Sequence, residues 1–248
     1  MGITATDLHV LDPALKKLVV ASSAPVHIAC LGYPDVVIAS AHYERFFAGR
    51  DWRGQLCRRD NWEKLLAIHG GSAQSIETVP TIDSFFSLYG DVKVTVIDIA
   101  QYVGNEVMHD MSQPIPDTLA GRFDMVIDAG TTEHVFDIAC ALFNCARMVK
   151  VGGCVYHAVP LHALNHGFYN ISPTLLFDFY DDNGFKTIGC LGSGWGASAN
   201  PEFFTIPPFD RFRIGGEAML IYLAQKLKQV EPLVKPVQRK YRNIDNWR

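Results

Sequence analysis

Several signals that narrow a protein's class early are missing from this chain. Its six cysteines, Cys30, Cys57, Cys140, Cys145, Cys154 and Cys190, form no Cys-x-x-Cys pair and no regular spacing. Neither a zinc site nor a disulfide framework is therefore indicated by the cysteines, and most of these thiols sit in apolar runs, as buried cysteines do. No stretch reaches the roughly 18 uninterrupted apolar residues that a membrane span requires. No basic segment leads into an apolar run at the start, so a cytoplasmic protein is expected. Positive charge is also scarce: 22 Lys and Arg stand against 26 Asp and Glu, a net charge of −4. That balance gives no reason to expect nucleic acid or an anionic membrane as partner, and favours a small molecule. No Gly-x-Gly-x-x-Gly follows any predicted strand, which argues against a nucleotide-dependent dehydrogenase.

What is present is the composition of a packed protein. The 248 residues, 48% hydrophobic and 19% charged, predict a single domain over 1–248 with one α/β core. A short apolar run at 26–30 reads as a strand ending in the turn Leu31-Gly32-Tyr33-Pro34-Asp35. Residues 36–90, rich in aromatics, read as an insertion holding two or three helices. The β-branched run at 92–99 and the run at 123–128 read as strands buried on both faces. A helix is predicted from 135 to 149, starting at Thr131–His134 and stopped by Gly152-Gly153, and a further strand at 154–159. Strand, helix and strand in this order imply a βαβ unit, and hence a doubly wound, mostly parallel sheet with helices on both faces. A helix at 173–182, a strand at 186–191, a Gly-rich loop at 192–196 and a helix at 218–227 complete the pattern. From Lys226 to the end seven Lys or Arg face only Glu231 and Asp245, a basic tail that is expected to be partly disordered.

The succession Val96-Ile97-Asp98-Ile99, His109-Asp110-Met111-Ser112, Phe123-Asp124-Met125-Val126-Ile127-Asp128, Glu133-His134-Val135 and Lys150-Val151-Gly152-Gly153, closing on Asn183-Gly184-Phe185, resembles the class I S-adenosylmethionine-dependent methyltransferases over about residues 92–185. The resemblance implies S-adenosylmethionine as cofactor. Asp98 then takes the ribose hydroxyls, because a carboxylate at a strand's carboxyl end accepts two such bonds. Ile99 packs on adenine, and Asp110 and Met111 hold and cover that ring. Gly32 forms the cofactor loop, and Asp128 lines the methionine end. The departure is in that first loop, where Tyr33 and Pro34 stand in place of small residues and are expected to crowd it.

Methyl transfer needs alignment first and a base second. His166, in the loop after strand 154–159, is the first candidate base, set against a role in ordering that loop. His134 and Asp128 follow, and His157 and His162 lie nearby in sequence. Asn165, Tyr169 and Trp195 are the candidate acceptor pocket, since aromatics with polar tips suit small ligands. No His and carboxylate cluster shows ligand spacing in the linear sequence, so no metal is expected. The leading expectation is methyl transfer to a small molecule such as a sugar or specialised metabolite. Two others stand beside it: an enzyme of the same fold turned to proton abstraction, elimination or cyclisation, and a non-catalytic subunit that docks a partner protein or a second copy.

Overall fold

Alternation along the first central strand shows why the sequence builds two hydrophobic layers. In β2, Val26–Leu31, the side chains of Val26, Ile28 and Cys30 join one core, while Ala29 and Leu31 join the other, as the two-residue period of a strand requires. The computed structural model describes residues 2–69, 76–194 and 202–242. Among these, β1 (Gly2–Thr4) leads into α1 (Ala5–Ala21), and β2 is followed by β3 (Asp35–Val37). Four short helices come next: α2 (Ser40–Phe46), α3 (Trp52–Gln55), α4 (Trp62–Ile68) and α5 (Ile82–Ser87). The remainder is β4 (Val92–Asp98), β5 (Val107–Met108), β6 (Phe123–Asp128), α6 (Ile138–Met148), β7 (Val149–His162), α7 (Pro173–Asp182), β8 (Phe185–Gly194), β9 (Phe203–Thr205) and β10 (Ala218–Lys226).

Eight strands form one sheet in the order β5-β4-β2-β6-β7-β10-β8-β9, and β1 pairs with β3 separately. The strands β5, β4, β2, β6 and β7 run parallel, while β10 runs antiparallel to both β7 and β8. The expected doubly wound α/β architecture is thus present, closed by an antiparallel pair from the C-terminal part of the chain. On one face α1 packs Leu8, Leu11 and Leu15 with Phe85 and Phe86 of α5; on the other lie α6 and α7. No helix among the described residues is long and apolar enough to cross a membrane.

Three expectations need correction. The run 218–227 is a strand, not a helix: Ala, Met, Leu, Gln and Lys favour helix locally, but pairing with β7 and β8 on either side overrides that preference. The helix expected from 131 starts at Ile138, where Asp137 accepts a bond from the Cys140 N–H, and Thr132–His134 form only a single 3₁₀ turn. The described residues of 36–90 hold four helices and the end of a strand, and their aromatics Tyr43, Phe47 and Trp52 are buried in the main core. The basic tail is tied down over its described part. Lys226 is buried and donates to Ala146 O and Val149 O at 2.8 and 3.0 Å, the C-terminal end of α6, where a cation is favoured. Beyond it, Arg239 and Arg242 pair with Asp181 and Asp182 of α7.

Candidate active site

Open α/β sheets bind ligands beyond the carboxyl ends of their strands, and here β4, β2 and β6 end side by side: Leu31 pairs with Ile97 on one flank and with Asp128 on the other. A cavity of about 490 Å³ opens at this edge, within the range of about 300–1,000 Å³ typical of small-molecule sites. Gly32, Asp98, Ile99, Asp110, Met111 and His134, all singled out in the sequence, line it together. So does Thr131, expected with Asp128 to line the methionine end, and so do Tyr102, His109, Ser112, Val135, Phe136 and Phe168, to which the sequence assigned no role.

Asp98 is 8% exposed and its carboxylate accepts N–H bonds from Tyr33 at 3.2 Å and Ala100 at 3.0 Å. A carboxylate has about four acceptor positions, so two are left for a ligand in the cavity. Gly32 adopts φ +67°, a left-handed turn that glycine makes without steric penalty, and donates to Ile97 O at 2.8 Å. Contrary to expectation, Tyr33 does not crowd the cavity. Its side chain is buried on the opposite side of the loop, where its hydroxyl accepts the Ile82 N–H at 3.0 Å and its ring lies under Arg59. Ile99 is 71% exposed, an apolar side chain presented at the cavity's edge. The segment carrying it is held by Glu106, whose carboxylate accepts the N–H groups of Tyr102, Val103 and Gly104. Asp110 is exposed and caps its own turn by accepting the Ser112 N–H at 2.8 Å.

Asp128 must be corrected as a catalytic and cofactor-binding residue. It is 0% exposed, and its carboxylate accepts from Thr131 N (2.9 Å), Thr132 N (3.2 Å), Thr132 Oγ1 (2.6 Å) and His157 Nδ1 (2.7 Å). All its acceptor positions are filled from within. Burial opposes its charge, but the His157 bond and charge and the Thr132 and Thr131 bonds outweigh this and hold the carboxyl below the usual range. His157 is equally withdrawn, its Nε2 sharing a bond with the Tyr180 hydroxyl at 2.6 Å. His162 bonds to Gly216 O and stays outside the cavity lining.

Of the proposed acceptor pocket, Tyr169 turns its hydroxyl to Phe136 O at 2.7 Å, and neither it nor Asn165, which takes φ +62° in the turn, lines the cavity. Phe136 and Phe168, packed edge to face at 5.7 Å, form that wall instead. Trp195 lies outside the described residues. His134 is on the lining and His166 stands behind it, their rings 5.1 Å apart. Partial burial lowers the pKa of both, which favours the neutral imidazole near pH 7.

Between these histidines sits Glu133, which the sequence reading left unassigned. It is 1% exposed, and neither carboxylate oxygen has a hydrogen-bond partner. Burial, reinforced by the charge of Asp128, pushes its carboxyl up to about 8. Its backbone carbonyl accepts the N–H groups of Phe168 (2.9 Å) and Tyr169 (3.3 Å), clamping the 163–170 loop onto the turn. Gly167 permits that approach, since a Cβ there would lie 2.9 Å from Glu133 O.

No protein-family model and no curated protein matches the chain. Solved structures do resemble it. A 1,6-didemethyltoxoflavin-N1-methyltransferase from Burkholderia thailandensis is 14% identical, over 90% of this chain and 80% of that one, with a TM-score of 0.46. A 16S rRNA (adenine(1408)-N(1))-methyltransferase from Catenulisporales acidiphilia is 12% identical over 88% and 94%, at 0.42. The [4+2]-cyclase SpnF is 13% identical over 73% and 57%, at 0.37. Likenesses this distant carry no argument about reaction or ligand. The order and direction of the strands decide the architecture: this chain has the fold of the class I S-adenosylmethionine-dependent methyltransferases.

Proposed function

We propose that the chain is an S-adenosylmethionine-dependent methyltransferase acting on a small-molecule acceptor. The observation that carries this reading is Asp98: a nearly buried carboxylate at a strand's carboxyl end, with two acceptor positions left on the side of a ligand-sized cavity. The residues present fit the cofactor. Asp98 would accept the ribose hydroxyls, Ile99 and Met111 would sandwich the adenine, Asp110 would meet its amino edge, and the φ +67° turn at Gly32 lets backbone approach. Bound there, S-adenosylmethionine supplies an electrophilic methyl group on a sulfonium.

The chain's own residues have two tasks beyond holding that group. Phe136, Phe168 and Tyr102 give the cavity an apolar wall that would exclude water and orient a flat or apolar acceptor. Alignment of this kind supplies most of the acceleration in a displacement with little covalent chemistry. His134, on the lining, would take the acceptor's proton, with His166 behind it.

Incubating the chain with S-adenosylmethionine and a panel of hydroxylated and amine acceptors, with S-adenosylhomocysteine followed by mass spectrometry, tests this reading. Acceptor-dependent release is expected, with kcat lowered about 100-fold or more in His134→Ala. A chain that binds the cofactor but releases no product with any acceptor would instead be a same-fold catalyst of another reaction.

A further inference from the structure

Glu133 poses a problem that the methyl-transfer reading leaves standing. A carboxylate stripped of water and given no hydrogen bond carries a penalty of several kcal/mol unless something neutralises it, and protonation alone would not satisfy its oxygens, neither of which has a partner. The two nearest side chains of opposite character are both imidazoles. His166 Nε2 lies 3.5 Å and His134 Nε2 3.8 Å from the same oxygen, Glu133 Oε1. One ligand atom from each of the three residues falls within 4.8 Å of the others.

We propose that Glu133, His134 and His166 form a binding site for one divalent transition-metal ion, with zinc the best match, at the edge of the cavity. Tetrahedral coordination with bonds of about 2.1 Å places ligand atoms about 3.4 Å apart. The two carboxylate-to-imidazole separations are already within a few tenths of an ångström of that value. The two imidazoles are partly exposed, at 45% and 37%, so they can rotate to close the remaining gap. The donor set selects the ion: two neutral imidazole nitrogens and one carboxylate suit zinc or its first-row neighbours, whereas calcium and magnesium require oxygen.

The chain also holds the donors in place. Glu133 and His134 belong to the turn that Asp128 caps through Thr131 and Thr132. His166 is carried by the loop that Glu133 itself clamps through Phe168 and Tyr169, with Gly167 giving the clearance. Three protein ligands leave a coordination position for water or for a substrate oxygen, as in catalytic rather than structural zinc sites. Because His134 lines the cavity, that position lies beside the acceptor's place and suits an acceptor with a hydroxyl or carbonyl oxygen. Ligation and proton acceptance by His134 Nε2 exclude each other, so the ion would take over activation of the acceptor. The site goes beyond the methyl-transfer reading, and ion binding is measurable whether or not the cofactor binds.

The test is calorimetric titration of the full, tag-free chain with zinc chloride, in a Cys57→Ser background that removes the exposed thiol, alongside visible spectra with cobalt(II). One ion per chain is expected, with ligand-field bands and no thiolate charge-transfer band. His166→Ala and Glu133→Gln should each weaken binding at least about 10-fold, since even outer partners of metal ligands are worth about 10–100-fold. His166→Ala substitutes a partly exposed side chain and should leave the urea midpoint in place, so the test survives if Glu133→Gln folds poorly. Absence of saturable binding to the folded chain, or binding unaffected by His166→Ala, would overturn the proposal.

Discussion

Two parallel strands on either side of β2 end in aspartate, and the regions that follow them are built for opposite purposes. After β4, Asp98 keeps two acceptor positions open and the chain runs outward, with Ile99 exposed and the backbone knotted by Glu106. After β6, Asp128 accepts four bonds and the chain turns inward through Thr131 and Thr132 onto a buried histidine. A strand-end carboxylate can thus be either a ligand's anchor or the chain's own, and its count of unfilled acceptor positions distinguishes the two. Glu133, five residues beyond Asp128, extends the series: its carboxylate accepts no hydrogen bond.

The contrast can be broken most sharply at Asp128. Removing one partner of a buried charge pair costs about 3–5 kcal/mol, so Asp128→Ala should show that loss in urea unfolding. A loss below about 1 kcal/mol would show that Asp128 is no internal anchor. Gly167→Ala is expected to cost about 1–3 kcal/mol, because the added methyl meets Glu133 O and forces the loop away. The same variant should weaken zinc binding in the titration described above.

Acid unfolding sharpens the comparison further. The Asp128 carboxyl is held below its ordinary 3.8, so the stability it contributes is present above that pH and is lost as pH falls through the lower folded value. The difference in unfolding free energy between the wild type and Asp128→Asn, followed by urea midpoints against pH, should therefore shrink as pH falls below 3.8. Smallest of all, Ile99→Ala should change stability by less than about 0.5 kcal/mol, as exposed positions do, while raising the KM for the cofactor about 10-fold through lost contact with the adenine.

Much of this arrangement is legible in the sequence alone. Strands β2, β4 and β6 contain apolar runs because a parallel sheet is covered on both faces, and that signal placed Gly32, Asp98 and Ile99 at strand ends on one side of the sheet. Helix α1 was legible but unread: Thr4 and Asp7 form its capping box and Leu8, Leu11 and Leu15 its apolar stripe, with Pro13 interrupting the pattern. Strand β10 misled because its residues favour helix in isolation, and only its neighbours decide otherwise. The choice between Tyr169 and Phe168 for the cavity wall depended on which way a loop faces. Glu133 was hidden for a deeper reason. Its burial comes from a loop more than thirty residues later in the chain, joined to it by backbone bonds to Phe168 and Tyr169, and no local pattern announces such a contact. Gly167 was the nearest signal.

The central claim is that the cavity at Asp98 binds S-adenosylmethionine, and calorimetric titration with S-adenosylhomocysteine tests it most directly, comparing the wild type with Asp98→Ala. Two bonds to an ionised acceptor are worth about 1.5–3 kcal/mol each, so the variant should lose at least about 100-fold in affinity. Its stability should fall by only about 1–3 kcal/mol, from the Tyr33 N–H left without its acceptor. A folded wild type that binds no S-adenosylhomocysteine, or an Asp98→Ala variant that binds it equally well, would contradict the account.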